Sequence, residues 1–356
     1  MKVSNRLQRL RQGLAEKDID AILISQPENM YYLSGFNGSS GYLLITPQNM
    51  ILATDFRYLE QAKRHAHDCE IFQISGNIAG WFLGLVAELD LRRLGFEARH
   101  ITSALYQQLA DTLNRAGTKI WLVPTDGLVE CLRAIKEPEE IELITKASAI
   151  SDRAMEYIEG IIHAGMSEQE AAWEIEKFLR EQGSAPLPFD IIVAVGSNSA
   201  LPHAEPSPRK IHLREPVIID IGARIGGYSS DLSRTICLGT PSDTFNKVYD
   251  TVLEAQRTAL AIIREGMSCH QADSVARTVI KQAGYGEAFG HGLGHGLGLA
   301  AHESPRLGPH SPEHLVGGMV FTIEPGIYLT GWGGIRIEDL VIIENGKLRA
   351  ITKAKK

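Results

Sequence analysis

Residues 217–235 read VIIDIGARIGGYSSDLSRT. The β-branched run around Asp220 predicts a buried strand, yet an acid stands in its middle. Burying a carboxylate there is costly unless it is paired or bound to a cation. Asp231 follows, with the turn-forming Arg224-Ile-Gly-Gly227 between the two acids. A hairpin pairing Asp220 with Asp231 has its centre between Ile225 and Gly226. Directly opposed residues share a sheet face with Cβ atoms about 5 Å apart, where two like charges destabilise each other without a cation. The competing reading makes Asp220 a satisfied turn acid and Asp231 a surface residue.

The same arithmetic recurs further on. Phe321-Thr-Ile-Glu324 and Gly334-Ile-Arg-Ile-Glu338 are strand-like runs, each with an acid. Their midpoint is residue 331, inside the glycine-rich Thr330–Gly334, so a second hairpin would bring Glu324 and Glu338 together. Between the two pairs lies Gly290-His-Gly-Leu-Gly-His-Gly-Leu-Gly298, which projects His291 and His295. Glycine at every second position lets the backbone pass close to another group. The run lacks the Lys-Ser/Thr ending of a phosphate-binding loop and has no strand-to-helix context, which argues against a nucleotide. Four carboxylates and one imidazole suit Mn(II), Co(II) or Zn(II) better than Cu(I) or a calcium cage.

The rest of the chain frames this constellation. Its 356 residues predict two domains, and 44% hydrophobic with 22% charged residues is ordinary globular composition. A net charge of −7 argues against a nucleic-acid binder. The four cysteines form no C-x-x-C pair, so neither a zinc motif nor a disulfide framework is expected. The amphipathic start MKVSNRLQRLRQGLAEKDID has no signal-peptide core, and no stretch approaches the ~20 apolar residues of a membrane span. A cytoplasmic location follows as the default expectation. Residues 1–126 alternate helix and strand signals, as in a small α/β layer domain. Residues 127–356 predict an α+β domain: long helices from Glu139 and from Thr244, a capped helix after Ser167, and antiparallel strands carrying the polar residues.

The set Asp220, Asp231, His295, Glu324 and Glu338 resembles the ligand set of the pita-bread metallopeptidases, the family of methionine aminopeptidase, aminopeptidase P and prolidase. IDIGARIGGYSSDLSRT, HGLGHGLGLAAHESP, MVFTIEPGIY and GIRIEDLVII carry the resemblance over residues 127–356. The YYLSGFNGSSG segment (residues 31–41) is similar to the creatinase-type N-terminal domain of the proline-specific branch. The resemblance implies two divalent ions, Mn(II) first and Co(II) or Zn(II) after it, and hydrolysis of the peptide bond preceding proline. It implies that Asp231 and Glu338 bridge both ions, Asp220 completes one and His295 with Glu324 the other, and that Glu324 takes the proton of the attacking water. His203 and His302 match the family's two histidines that bind the substrate carbonyl and relay a proton. Arg336, two positions before Glu338, is expected to support a ligand carboxylate, and His291 to lie near the site. Phe189 and Ile192 fall where this branch builds an apolar pocket. Arg306, four residues after His302, matches the prolidase arginine that holds a dipeptide's carboxylate, which favours Xaa-Pro dipeptides over longer aminopeptidase substrates. A homodimer is expected from the resemblance. Methionine aminopeptidase lacks the first domain, creatinase lacks the metal ligands, and a non-catalytic relative would have lost some of them.

Overall fold

The computed structural model describes residues 3–356. They form two units, divided between Arg133 and Ala134. The helix Leu128–Ala134 lies almost wholly in the first unit. Its Glu130 accepts a hydrogen bond from Asn29 (2.8 Å), and Arg133 donates to the same asparagine (2.7 Å). This buried polar network holds the helix to the first unit.

In the first unit, Ala21-Ile-Leu-Ile24 is apolar at every position and accordingly becomes an interior strand, buried on both faces. It is parallel to Arg93–Glu97 and antiparallel to Tyr42–Ile45. The full sheet has six strands, in the spatial order Glu70–Ile74, Met50–Asp55, Tyr42–Ile45, Ala21–Ile24, Arg93–Glu97 and Trp121–Thr125. The helices Ile78–Val86 and Ser103–Arg115 cover one face with Trp81, Phe82, Leu85, Leu109 and Leu113.

The second unit is α+β, and every strand pair in it is antiparallel. Pro138–Ile161 is a long helix, and Ala147, Ile150, Ala154 and Ile158 form its buried stripe. Each fully buried Ile of this kind contributes about 1.5–3 kcal/mol. Ser167 caps the next helix, Glu168–Glu181, through a reciprocal capping box with Glu170. These two helices share a core with the three-stranded sheet Ile192–Val195, Pro216–Ile221 and Leu232–Cys237. The helices Asp243–Ile262 and Cys269–Gln282 share a second core with a five-stranded sheet built from Glu303–Leu307, Gly294–Gly296, Val320–Ile323, Asp339–Glu344 and Lys347–Ala350. Of the acids singled out in the sequence, Asp220 lies on the middle strand of the three-stranded sheet, Asp231 just before its strand Leu232–Cys237, and Glu324 and Glu338 next to the ends of strands Val320–Ile323 and Asp339–Glu344 of the five-stranded one. No helix of the described residues is long and apolar enough to cross a membrane.

Candidate active site

Asp220 is opposite Ser233, and not opposite Asp231 as the sequence arithmetic has it. The ladder keeps this register through Arg224 opposite Ser229 and Ile225 opposite Tyr228. The turn is therefore Gly226-Gly227, with φ of +57° and +86°. A two-residue offset leaves a side chain on the same face, because side chains alternate with a period of two. Asp231 thus still meets Asp220. One carboxylate oxygen from each of Asp220, Asp231 and Glu338 lies within 4.8 Å of the other two.

Around Glu324 and Glu338 the expected centre holds. Ile323 is opposite Asp339 in one ladder and Gly326 opposite Arg336 in the next, both symmetric about residue 331. The two glutamates occupy the break between those ladders. Their backbone amides are free to bond elsewhere: Glu324 N donates to the Leu293 carbonyl (2.9 Å) and Glu338 N to the Ser233 carbonyl (3.1 Å). The second bond stitches Glu338 to the strand that follows Asp231.

His295 sits on the short strand Gly294–Gly296, which runs between Glu303–Leu307 and Val320–Ile323. A Cβ on Gly294 would collide with the Thr322 carbonyl oxygen, and one on Gly296 with that of Ser304. The alternating glycines let this strand pass between its neighbours while the histidines project from it. His295 Nδ1 is 3.0 Å from the Gly296 carbonyl. A carbonyl only accepts, so Nδ1 carries the hydrogen and Nε2 keeps its lone pair. Nε2 faces Asp231 Oδ2 at 3.6 Å and Glu324 Oε1 at 3.5 Å. Burial lowers the His295 pKa and favours this neutral form.

Burial first, then the charges of Glu338, Asp220 and Glu324, push the Asp231 carboxyl well above the usual carboxylate range. Burial, then Glu324 and Asp220, do the same to Glu338, and burial raises Glu324. Asp220 Oδ1 is buried with no hydrogen-bond partner. Converging anions, an imidazole lone pair and an unpartnered carboxylate oxygen together make a donor set that fits divalent cations.

The five residues line a cavity of about 370 Å³, and so do His203, His302, His291, Arg336, Phe189 and Ile192. Ile192 is directly opposite Asp220 on the neighbouring strand, so their side chains share a face. The His302 and His295 rings lie 4.1 Å apart, centre to centre. Burial, then His295 and Arg306, lower the His302 pKa to about 4. Arg306 is not part of the cavity lining. It is exposed, on the strand position opposite His295.

With this geometry in view, the comparisons with known proteins are specific. Residues 142–345 match the model of metallopeptidase family M24, and residues 6–135 match that of the creatinase/prolidase N-terminal domain. The chain belongs to metallopeptidase family M24. A solved Xaa-Pro dipeptidase from Bacillus anthracis is 41% identical with a TM-score of 0.95, over 100% of this chain and 99% of that one. An Xaa-Pro dipeptidase from Pyrococcus furiosus is 35% identical over 99% of both chains. A solved X-Pro aminopeptidase from Thermotoga maritima is 36% identical with a TM-score of 0.90, over 98% of both chains.

In this M24 metallopeptidase the expected His291 and Arg336 are held by residues that sequence reasoning passed over, Tyr328, Ser233, Asp273 and Arg277. His291 Nδ1 donates to the Gly292 carbonyl (2.7 Å), so its Nε2 accepts from the Tyr328 hydroxyl (2.9 Å). Arg336 donates to that hydroxyl (3.0 Å), to Ser233 Oγ (2.9 Å) and to Asp220 Oδ2 (2.6 Å). His291 therefore spends both ring nitrogens on the scaffold. From behind, Arg277 on the helix Cys269–Gln282 donates to the Phe289 and His291 carbonyls (2.8 and 2.7 Å), and Asp273 accepts from Leu293 N (3.0 Å). Tyr328 ends the quoted string MVFTIEPGIY, but only the fold shows its partner. Asp273 and Arg277 carry no sequence signal beyond a four-residue acid–base spacing.

Proposed function

We propose that this chain hydrolyses the peptide bond preceding proline, in Xaa-Pro dipeptides, with two divalent ions held by Asp220, Asp231, His295, Glu324 and Glu338. The observation that carries the reading is the convergence of Asp220, Asp231 and Glu338, whose carboxylate oxygens come within 4.8 Å of one another, with Asp220 Oδ1 left unpartnered. Mn(II) is the first expectation, with Co(II) and Zn(II) as alternatives. Bound there, the ions supply Lewis acidity to the scissile carbonyl and to the attacking water.

The chain's own residues do the rest. Glu324 accepts the water's proton, helped by a carboxyl whose affinity for protons is raised by burial. His302, neutral at physiological pH, and His203 line the cavity, where they hydrogen-bond the substrate carbonyl and relay to the leaving nitrogen the proton that Glu324 takes from water. Arg336 holds the orientation of Asp220. Phe189 and Ile192 offer apolar surface to the proline ring. The expected homodimer and cytoplasmic location belong to the same proposal.

Arg306 is assigned the free carboxylate of a dipeptide. It shares its sheet face with His295 and carries a guanidinium that matches a carboxylate bidentately. A charge-assisted contact is worth roughly 1.5–3 kcal/mol, so Arg306→Ala should cut kcat/KM on Xaa-Pro by about tenfold or more. An Xaa-Pro-Yaa tripeptide should be little affected. Equal losses on both substrates, or a parent enzyme that prefers the tripeptide, favour the second reading, an X-Pro aminopeptidase. That reading is supported by the Thermotoga maritima likeness.

A further inference from the structure

We propose that Lys136 is a positioning residue for His302, acting through Glu303; the catalytic part of this rests on the peptidase reading above. Lys136 Nζ pairs with Glu303 Oε2 at 3.2 Å, and the two side chains are 1% and 6% exposed. Such a buried pair contributes little net stability, and it is better suited to fixing one arrangement of the chain. Lys136 is itself anchored. Its N–H donates to the Gly318 carbonyl (2.9 Å), and its neighbour Ile135 bridges to Met319, at the start of the strand that leads to Glu324.

Glu303 turns this anchor towards the site. Its second oxygen, Oε1, accepts from Ala300 N (2.9 Å) and so closes the turn that carries His302. Gly298 N donates to the Ala300 carbonyl (3.0 Å), and Ser229 N to the Gly298 carbonyl (2.8 Å). A Cβ on Gly298 would sit 2.9 Å from Glu303 Oε2, so the carboxylate fills the inside of the turn. The His302 ring, by contrast, makes no side-chain hydrogen bond among the described residues; its neighbour is the His295 ring. The placement of that ring is set by its backbone, and the backbone is held by the Glu303 carboxylate on Lys136.

The test compares K136M, K136R, H302A and K136M/H302A. Displacing a catalytic group by about 1 Å costs up to ~10²-fold, so kcat of K136M on an Xaa-Pro dipeptide should fall about 10- to 100-fold. KM and metal content should stay near parental values, and K136R should recover most of the rate. In the H302A background K136M should add less than about twofold, because both changes act through one group. In crystals of metal-free K136M the His302 ring should leave its place beside His295. An unmoved ring, or a K136M defect that persists undiminished in H302A, overturns the proposal. If the parent enzyme hydrolyses no Xaa-Pro peptide, the function reading falls, while the crystal comparison still decides whether Lys136 positions His302. K136Q carries the same comparison if K136M does not fold.

Discussion

Replacing Arg336 with methionine tests whether the site is held together before any cation arrives. Arg336 and Asp220 are 4% and 14% exposed, so solvent screens their 2.6 Å contact poorly. Methionine keeps much of the volume but removes the donors to Asp220, Tyr328 and Ser233. Asp220 Oδ1 already lacks a partner, so the carboxylate is left buried and unpaired. Breaking a buried pair from one side costs about 3–5 kcal/mol. For a unit of this size each kcal/mol moves the melting point by about 2–4 °C, which gives a fall of roughly 6–20 °C in metal-free protein. Calorimetry of the chelator-treated enzyme measures it. Added Mn(II) should narrow the gap, since a cation beside Asp220 replaces the missing positive charge. A metal-free transition within about 2 °C of the parent, against an expected 6–20 °C, would refute the reasoning. So would a gap that Mn(II) leaves unchanged.

Other outcomes follow from the same structure. Chelation should abolish hydrolysis and Mn(II), Co(II) or Zn(II) restore it, whereas Asp231→Asn and Glu338→Gln should stay inactive with added metal; turnover by metal-free enzyme would end the dinuclear reading. His203→Ala and His302→Ala should keep their metal content yet lose about 10²–10⁴-fold in kcat, read by metal analysis beside steady-state kinetics. Burial pushes the Cys69 and Cys269 thiols up to about 12, so their thiolates form only near that pH. At pH 8 a thiol reagent should label the exposed Cys131 first, and mass spectrometry should find those two unmodified in the native protein.

The sequence held more register information than the carboxylate arithmetic drew from it. Setting Asp220 opposite Asp231 demands a turn centred between Ile225 and Gly226. A tight two-residue hairpin turn wants positive φ at both central positions, and only Gly226-Gly227 supplies that without strain. Centring on the glycine pair gives the observed partners, Ile225 with Tyr228 and Asp220 with Ser233. The acids still meet because the error was two residues. A slip of one would have sent Asp231 to the opposite face. The centre of the second pairing was legible because Glu324 and Glu338 are symmetric about a glycine-rich turn, though the ladder breaks at the two glutamates.

What stayed hidden is whatever depends on partners far apart in the chain. Lys136 and Glu303 are separated by 167 positions, and neither stands in a period or a motif that announces the other. His291 and His295 are indistinguishable in the glycine run, each alternating with glycine and projecting from the same segment. The fold separates them by the fate of Nε2. In His291 it accepts from Tyr328, and in His295 it is left facing Asp231 and Glu324. In both residues a backbone carbonyl one position ahead takes the Nδ1 hydrogen, so both present the same tautomer. The difference lies in what the fold places opposite each ring: the Tyr328 hydroxyl, or the carboxyl groups of Asp231 and Glu324. A ring nitrogen facing only acceptors makes its best bond to a cation, which is why one histidine of the repeat belongs to the proposed ligand set and the other to its scaffold.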